Sequence, residues 1–223
     1  MQTIIVTLNN ERKTEYIKGI KIKEVLNNLQ PEEREDIILM KYNNKKVDLE
    51  TELKKSGTLS IYDINTPEGN KIYERGLLYL FEYAVNIVLG RDTKVIIKHS
   101  IDKGIFCKID KPLEDKEVLE IKKKMKELVS KNIPFIKIDT TKYDAIEYFK
   151  SIKRTDKVKT LFYDTSNYVS LYKLEDNYNY IIGTLPDTTG VLKYFDLSLI
   201  KGKGIVVRYP SIYDNKKVKK YTH

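Results

Sequence analysis

Hydrophobic side chains in the first sixty residues switch between a two-residue period and a helical period, and the order of these switches constrains the fold more than any other feature. Residues 4–8 and 14–17 alternate on either side of Asn9 and Asn10, a pattern that predicts a β-hairpin. Residues 20–29 carry an amphipathic helical stripe. Three more strands are predicted, at residues 37–42, 46–49 and 58–63. The first unit is therefore predicted to have the order β-β-α-β-β-β and to end near residue 64.

A second unit is predicted beyond the polar stretch at residues 65–69, where Pro67 removes a backbone donor and favours a boundary. Its first helix carries apolar residues at helical spacing and ends before Gly90. The residues of that stripe are Leu77, Leu80, Phe81, Ala84, Ile87 and Val88. A second amphipathic helix follows Pro112, and its stripe consists of Val118, Ile121, Met125 and Leu128.

The rest of the second unit is predicted to consist mostly of strands. Thr141 and Asp144 resemble a capping box and predict the start of a third helix. Strands are predicted at residues 95–99, 105–109, 135–138, 158–163, 168–174, 178–182, 195–199 and 205–209. Helices followed by strands indicate the α+β class. Residues 213–223 include the lysine-rich stretch 216–220, which lacks periodicity and is expected to form a loose tail or a truncated linker.

Charge and composition limit the classes of function. The net charge of +9 suits a polyanionic partner, because lysine and arginine release counterions from phosphates. A general bias towards Lys, Ile, Asn and Tyr explains the charge equally well, and the lysines are spread along the sequence except near its end. Cys107 is the single cysteine, which excludes an internal disulfide and fits a reducing cytoplasm. No apolar run approaches the roughly 20 residues of a membrane helix, so no membrane association is expected.

The predicted order of the first unit is that of the ubiquitin-like β-grasp fold, and residues 1–64 resemble a TGS domain, the β-grasp module at the front of threonyl-tRNA synthetases. Residues 70–212 resemble the next domain of those synthetases, which hydrolyses mischarged seryl-tRNA. The stretches that carry this resemblance include residues 105–106, 119–128, 132–135, 145–149, 169–172 and 186–190. The resemblance implies an α+β chain in which a TGS β-grasp domain precedes a threonyl-tRNA synthetase second-domain-like α+β domain.

A closer resemblance is to the N-terminal half of bacterial uridine-kinase-like nucleoside kinases, which join the same two domains to a P-loop kinase. It is carried by residues 98–104, 194–197 and 207–210. Lys201-Gly202-Lys203-Gly204 does not have the spacing of a phosphate-binding P-loop. The resemblance therefore implies ATP and magnesium only for a C-terminal kinase domain that is absent from this chain.

The editing family places His-x-x-x-His on the first helix and Cys-x-x-x-His on a later loop, and the four side chains converge on one pocket. The corresponding helix positions here are Arg75 and Tyr79, and the loop positions are Ile181 and Leu185. None of these side chains exchanges a proton near neutral pH, as imidazole does. The sequence therefore predicts no catalytic residue, no metal site and no editing of seryl-tRNA.

A degenerate pocket that binds a ligand without chemistry is the alternative use of these positions. Asn179 stands where the family has an aspartate, and Lys157 matches a family lysine. His99, Ser100 and Lys103 are further candidates for a polar pocket, although a histidine at a strand end is more often structural. Arg75 facing Lys157 and His99 would make the pocket cationic and suited to a phosphate or nucleotide.

Two functions stay open at this point. The first is a non-catalytic regulatory or ligand-binding module of a nucleoside kinase, with a nucleoside or nucleotide as its ligand. The second is a free-standing, synthetase-derived protein that binds tRNA or another RNA without editing activity. Neither function requires a cofactor in this chain, and both are expected in the cytoplasm.

Overall fold

The chain forms two units of mixed α/β structure, divided between Asn70 and Lys71. The computed structural model describes residues 2–34, 36–101 and 104–219. Helices and several separate sheets are present, in agreement with the predicted α+β class. Within the described residues, no helix is both long and apolar enough to cross a membrane.

Two asparagine pairs shape the sheet of the first unit. Asn9 and Asn10 both have positive φ angles, 47° and 65°, as the central residues of a type I′ turn require, and the connection between the paired residues Leu8 and Arg12 spans residues 9–11. This turn joins the antiparallel strands β1 and β2, as predicted. Asn43 and Asn44 repeat the conformation at 50° and 65°. The elements of this unit are β1 (Thr3–Leu8), β2 (Arg12–Ile17), α1 (Ile22–Asn27), α2 (Pro31–Arg34), β3 (Leu39–Tyr42), β4 (Lys45–Lys46) and β5 (Gly57–Tyr62).

The five strands form one mixed sheet in the order β2-β1-β5-β3-β4. Strand β5 lies in the centre, parallel to β1 and antiparallel to β3. Helix α1 contributes Ile22, Val25 and Leu26 to a core that includes Val6 and Leu59 of the sheet. The predicted strand at residues 46–49 is shorter than expected, since pairing with β3 stops at Lys46.

A long helix, α3 (Pro67–Leu89), begins within the polar stretch at residues 65–69 and contains the division between the two units. Pro67 occupies the first helical position, where its missing N–H costs nothing. The Thr66 hydroxyl accepts a hydrogen bond from the Gly69 amide at 3.2 Å and so caps the helix. Gly90 has a φ of 103° directly after the helix, as predicted.

Beyond helix α3, the second unit contains two antiparallel sheets and further helices. One has four strands in the order β11-β12-β7-β6, and the other has three in the order β10-β9-β8. The strands are β6 (Val95–Ile101), β7 (Gly104–Ile109), β8 (Ile136–Thr141), β9 (Tyr168–Leu174), β10 (Asn177–Tyr180), β11 (Asp196–Ile200) and β12 (Gly204–Arg208). The helices are α4 (Asp115–Ser130), α5 (Lys142–Ser151) and α6 (Thr155–Tyr163), with a short 3-10 turn at Thr189–Val191.

Residues 158–163, predicted as a strand, belong instead to helix α6. The run is rich in β-branched and aromatic residues, which favour strands. Val158 and Leu161 lie three residues apart and reach the same core as Phe149 of α5 and Leu171 of β9. Helical spacing therefore buries both side chains on one side, which outweighs the local preference of the sequence.

The lysine-rich end of the chain, predicted as a loose tail or truncated linker, makes several contacts as far as residue 219. Asp214 is buried and accepts a hydrogen bond from the Ser211 hydroxyl at 2.6 Å. Lys219 forms an ion pair with Asp214 at 2.5 Å. The Lys216 ammonium lies 5.9 Å from the centre of the Tyr194 ring. Residues 220–223 lie outside the described residues.

Candidate functional site

A polar stripe runs along helix α3, whose buried middle part is otherwise mostly apolar. Arg75, Tyr79, Glu82 and Asn86 follow one another at intervals of four, three and four residues, so they lie on one side of the helix. Tyr79, Glu82 and Asn86 are buried. Ile87, assigned above to the apolar stripe, is 42% exposed. A buried polar stripe needs partners on the elements that pack against it.

Tyr79 is held by the backbone of the neighbouring sheet. Its hydroxyl donates towards the carbonyl oxygens of Asn177 and Tyr172, at 2.8 and 3.0 Å. Its ring lies 5.8 Å from the ring of Phe135. Burial, followed by the nearby Glu82 carboxylate, raises the pKa of Tyr79 far above its ordinary value. The hydroxyl therefore stays protonated and joins α3 to strands β9 and β10.

Glu82 is the centre of a buried ionic network that the sequence did not reveal. Its side chain is 7% exposed and forms an ion pair with Arg154, whose side chain is 13% exposed. The second carboxylate oxygen accepts a hydrogen bond from the Asn179 amide at 2.9 Å. Arg154 also donates two hydrogen bonds to Asp156, at 2.9 and 2.7 Å. Each oxygen of Glu82 thus has a partner within the network.

Asn179 is buried, and its side-chain oxygen has no hydrogen-bond partner among the described residues. The synthetase editing domain that residues 70–212 resemble has an aspartate at this position. An asparagine here is consistent with the neighbouring Glu82 carboxylate. A second carboxylate there would repel the first in a buried setting. The Asn179 amide instead donates a hydrogen bond to Glu82, so an asparagine fits this network where an aspartate would not.

Lys157 lies at the margin of the same network. Its ammonium group donates to the carbonyl oxygen of Tyr180 at 3.2 Å. Burial lowers the pKa of Lys157 below its ordinary value, and the Glu82 carboxylate partly offsets this effect. Lys157 lies close to Arg154, because Arg154 caps the start of helix α6 and Lys157 belongs to its first turn.

The buried lysine predicts a specific dependence of stability on pH. A folded-state pKa below the unfolded value means that the unfolded chain binds more protons in the interval between the two, so stability rises with pH there. Relative to Lys157→Met, the wild-type protein should therefore gain stability as pH rises from 7 towards 10.5, the ordinary lysine value. Urea unfolding of both proteins across this range measures the difference. A constant difference would show that the lysine pKa is the same in both states.

Arg75 and the loop after β10 pack against each other. A side chain at Gly183 would come within 2.9 Å of the Arg75 guanidinium carbon, so this glycine permits a close approach. The Tyr172 hydroxyl donates to the Gly183 carbonyl oxygen at 3.0 Å and fixes the loop. Leu185 is buried, whereas Ile181 is half-buried and lines a groove of about 390 Å³. Arg75 and Tyr79 lie on α3 itself. The other candidates lie on the elements around this helix: Lys157, Asn179, Ile181 and Leu185.

His99 and Ser100 lie elsewhere, on the edge strand β6 of the four-stranded sheet. Both residues are exposed, and the His99 ring lies 5.9 Å from the ring of Phe106. Within the described part of the chain, no contact joins His99 to Arg75 or Lys157. Lys103, the remaining candidate, lies outside the described residues. The contacts do not assemble the cationic pocket of Arg75, Lys157 and His99, because Glu82 and Asp156 balance the cations near α6.

The arrangement favours structure over acid–base chemistry. Tyr79 is locked by carbonyl groups, Glu82 is neutralised by Arg154, and Ile181 and Leu185 offer no polar atom. Among residues 2–34, 36–101 and 104–219, no group of three His, Cys, Asp or Glu side chains is placed to hold a metal ion. What this region offers a ligand is therefore the outer groove beside residues 181–184 rather than a reactive centre.

Comparison with known proteins gives a consistent set of relatives. The chain is 28% identical to a threonine–tRNA ligase of Syntrophotalea carbinolica over 74% of its own length and 26% of that protein. It is 32% identical to the corresponding ligase of Fusobacterium nucleatum subsp. nucleatum, over 73% of this chain and 27% of that protein. A third, from Caldanaerobacter subterraneus subsp. tengcongensis, is 24% identical over 91% of this chain and 32% of that protein. No family model matches the chain.

These relatives are threonyl-tRNA synthetases, and the chain spans about a third of their length or less. The resemblance to synthetases is thereby supported. Nothing in the comparisons supports the nucleoside-kinase parent that residues 98–104, 194–197 and 207–210 suggested.

Proposed function

We propose that this chain is a synthetase-derived module that binds tRNA without hydrolysing aminoacyl-tRNA. The observation that carries the proposal concerns the positions that match the family's acid–base groups. Tyr79 is held there by backbone carbonyl groups, and Ile181 and Leu185 carry no titratable side chain. The nearby Glu82 is paired with Arg154 and accepts a hydrogen bond from Asn179. The similarity to threonine–tRNA ligases supplies the class of ligand. The net charge of +9 favours a polyanion and is consistent with that ligand.

The first unit has the role of a TGS β-grasp domain in this proposal. Its central strand β5 is parallel to β1 and antiparallel to β3, with α1 packed on one face of the sheet. This arrangement is consistent with the ubiquitin-like order predicted for residues 1–64. The second unit then corresponds to the editing-like domain, whose site has been converted into a buried ionic network. A cytoplasmic location belongs to the same proposal, because tRNA is its ligand.

Binding of tRNA tests the proposal directly. If about four phosphates are neutralised, the affinity should fall by about a hundredfold between 50 and 200 mM salt. Fluorescence anisotropy with end-labelled tRNA at the two salt concentrations measures this change, with unlabelled tRNA as competitor. Absence of binding at 50 mM salt would refute the proposed function.

The absence of chemistry is tested separately. Seryl-tRNA incubated with the purified chain should lose its amino acid at the spontaneous rate, because the positions that match the family's acid–base groups hold no imidazole or thiol. Release of labelled serine measures the rate, and brief alkaline treatment shows that the substrate can be deacylated. Hydrolysis above the spontaneous rate, proportional to protein concentration, would contradict the assignment.

A further inference from the structure

Lysines that are scattered in the sequence meet at one end of the four-stranded sheet. Neighbouring strands are antiparallel, so the start of β6, the end of β7, the start of β12 and the end of β11 lie side by side. The ladder pairs Val95 with Ile109 and Ile200 with Gly204 at this end. Five lysines lie in or next to these strand ends: Lys94, Lys108, Lys111, Lys201 and Lys203.

A cleft of about 470 Å³ opens among these lysines. Lys108, Lys111 and Lys203 line it, together with Pro112 and Gly202. Lys108 and Lys203 are exposed, and neither forms an ion pair with a described residue. Lys111 is held in place, because its ammonium group donates to the Leu89 carbonyl oxygen at 2.8 Å and pairs with Asp92 at 3.1 Å.

The acidic residues near the cleft do not cancel its charge. Asp92 is paired with Lys111, and Asp110 accepts a hydrogen bond from the Lys94 amide at 2.9 Å. Of the residues that line the cleft, three are lysines and one, Asp110, is acidic, which leaves a formal charge of +2. Glu114 and Asp115 begin helix α4 farther along the chain and do not line the cleft.

We propose that this basic cleft, between the β11–β12 turn and the β7–α4 loop, binds consecutive phosphates of the RNA backbone. The proposal rests on the tRNA-binding function and names the surface that performs it. Flexible ammonium groups on the rim of a cleft suit phosphates, which they contact as point charges. The Lys201-Gly202-Lys203-Gly204 sequence thus contributes Lys203 to the cleft without having the spacing of a P-loop.

A pair of charge-matched variants tests the cleft. Lys108→Gln with Lys203→Gln removes two charges from its rim. Lys123→Gln with Lys126→Gln removes two charges from the exposed side of helix α4. All four side chains are exposed, so both double variants should keep the wild-type melting temperature. Anisotropy with labelled tRNA is measured for the three proteins as a function of salt concentration.

The cleft variant should bind tRNA about tenfold more weakly than wild type at 100 mM salt, and its slope of log affinity against log salt should fall by about two. The control variant should lie close to wild type in both quantities. Equal losses in the two variants would overturn the cleft and leave the proposed function standing. Failure of the wild-type protein to bind tRNA at low salt would overturn both.

Competition separates RNA from smaller phosphates. Addition of ATP or of inorganic triphosphate to the wild-type complex should displace tRNA only at millimolar concentrations, as expected for a surface that needs several backbone contacts. Displacement by micromolar ATP, lost in the cleft variant, would show that the cleft is a nucleotide site and would overturn the assignment to the RNA backbone.

Discussion

Replacement of Arg154 by alanine is expected to lower the free energy of unfolding by about 3 kcal/mol, because it leaves the Glu82 carboxylate buried without its cation. Glu82 is 7% exposed in its side chain, and Asn179 provides its remaining hydrogen bond. A single amide donor does not compensate a buried negative charge. Urea denaturation followed by circular dichroism measures the loss.

Two further proteins show whether the effect comes from the uncompensated charge. Lys150→Ala removes an exposed pair with Glu147, in which the side chains are 57% and 47% exposed, and should change stability by less than about 0.5 kcal/mol. Glu82→Leu combined with Arg154→Met removes both buried charges and should lose less stability than Arg154→Ala alone. An Arg154→Ala protein as stable as wild type would mean that Glu82 is hydrated.

The ionic network also separates the structural role of this region from RNA binding. If the groups around Glu82 serve only to hold α3, α6 and β10 together, the double variant should bind tRNA as the wild type does once it is folded. The lysine cleft, formed by the other sheet, is the region whose change should weaken binding. The two sets of variants therefore test different consequences of one proposal.

Local patterns in the sequence were sufficient for most elements of the fold. The asparagine turns, the capping of α5 by Thr141 and the stripe of α4 all follow from contacts between near neighbours in the chain. Residues 158–163 of helix α6 were mistaken for a strand because their apolar and polar residues fit both periods, and only the core shared by Leu161 and Phe149 decides between them.

The candidate site was predictable only in part, because its key contacts are distant in the sequence. Arg154 lies 72 residues from Glu82, and Asn179 lies 97 residues from it. A signal was nevertheless present, since Arg75, Tyr79, Glu82 and Asn86 repeat at helical spacing within an apolar helix. The lysine cleft had no such signal, because strand order rather than sequence spacing brings Lys108 and Lys203 together.

Gly204→Ala is expected to lower the free energy of unfolding by at least about 2 kcal/mol, since it combines backbone strain with a steric clash. Gly204 begins strand β12 with a φ of 152°, and a side chain there would come within 2.2 Å of the Cys107 carbonyl oxygen. That oxygen belongs to β7, the partner of β12 in the ladder, so relief would require the two strands to separate.

Gly202 provides the matched control, because it lies two residues earlier in the same turn. It has a φ of 70°, and a side chain there would meet no atom within 4 Å, so Gly202→Ala should cost only about 1 kcal/mol. Thermal and urea unfolding compare the two variants, and equal losses would contradict the close approach of β12 to β7. Gly204 would then be required by the sheet, whereas the adjacent Lys203 is available to the ligand.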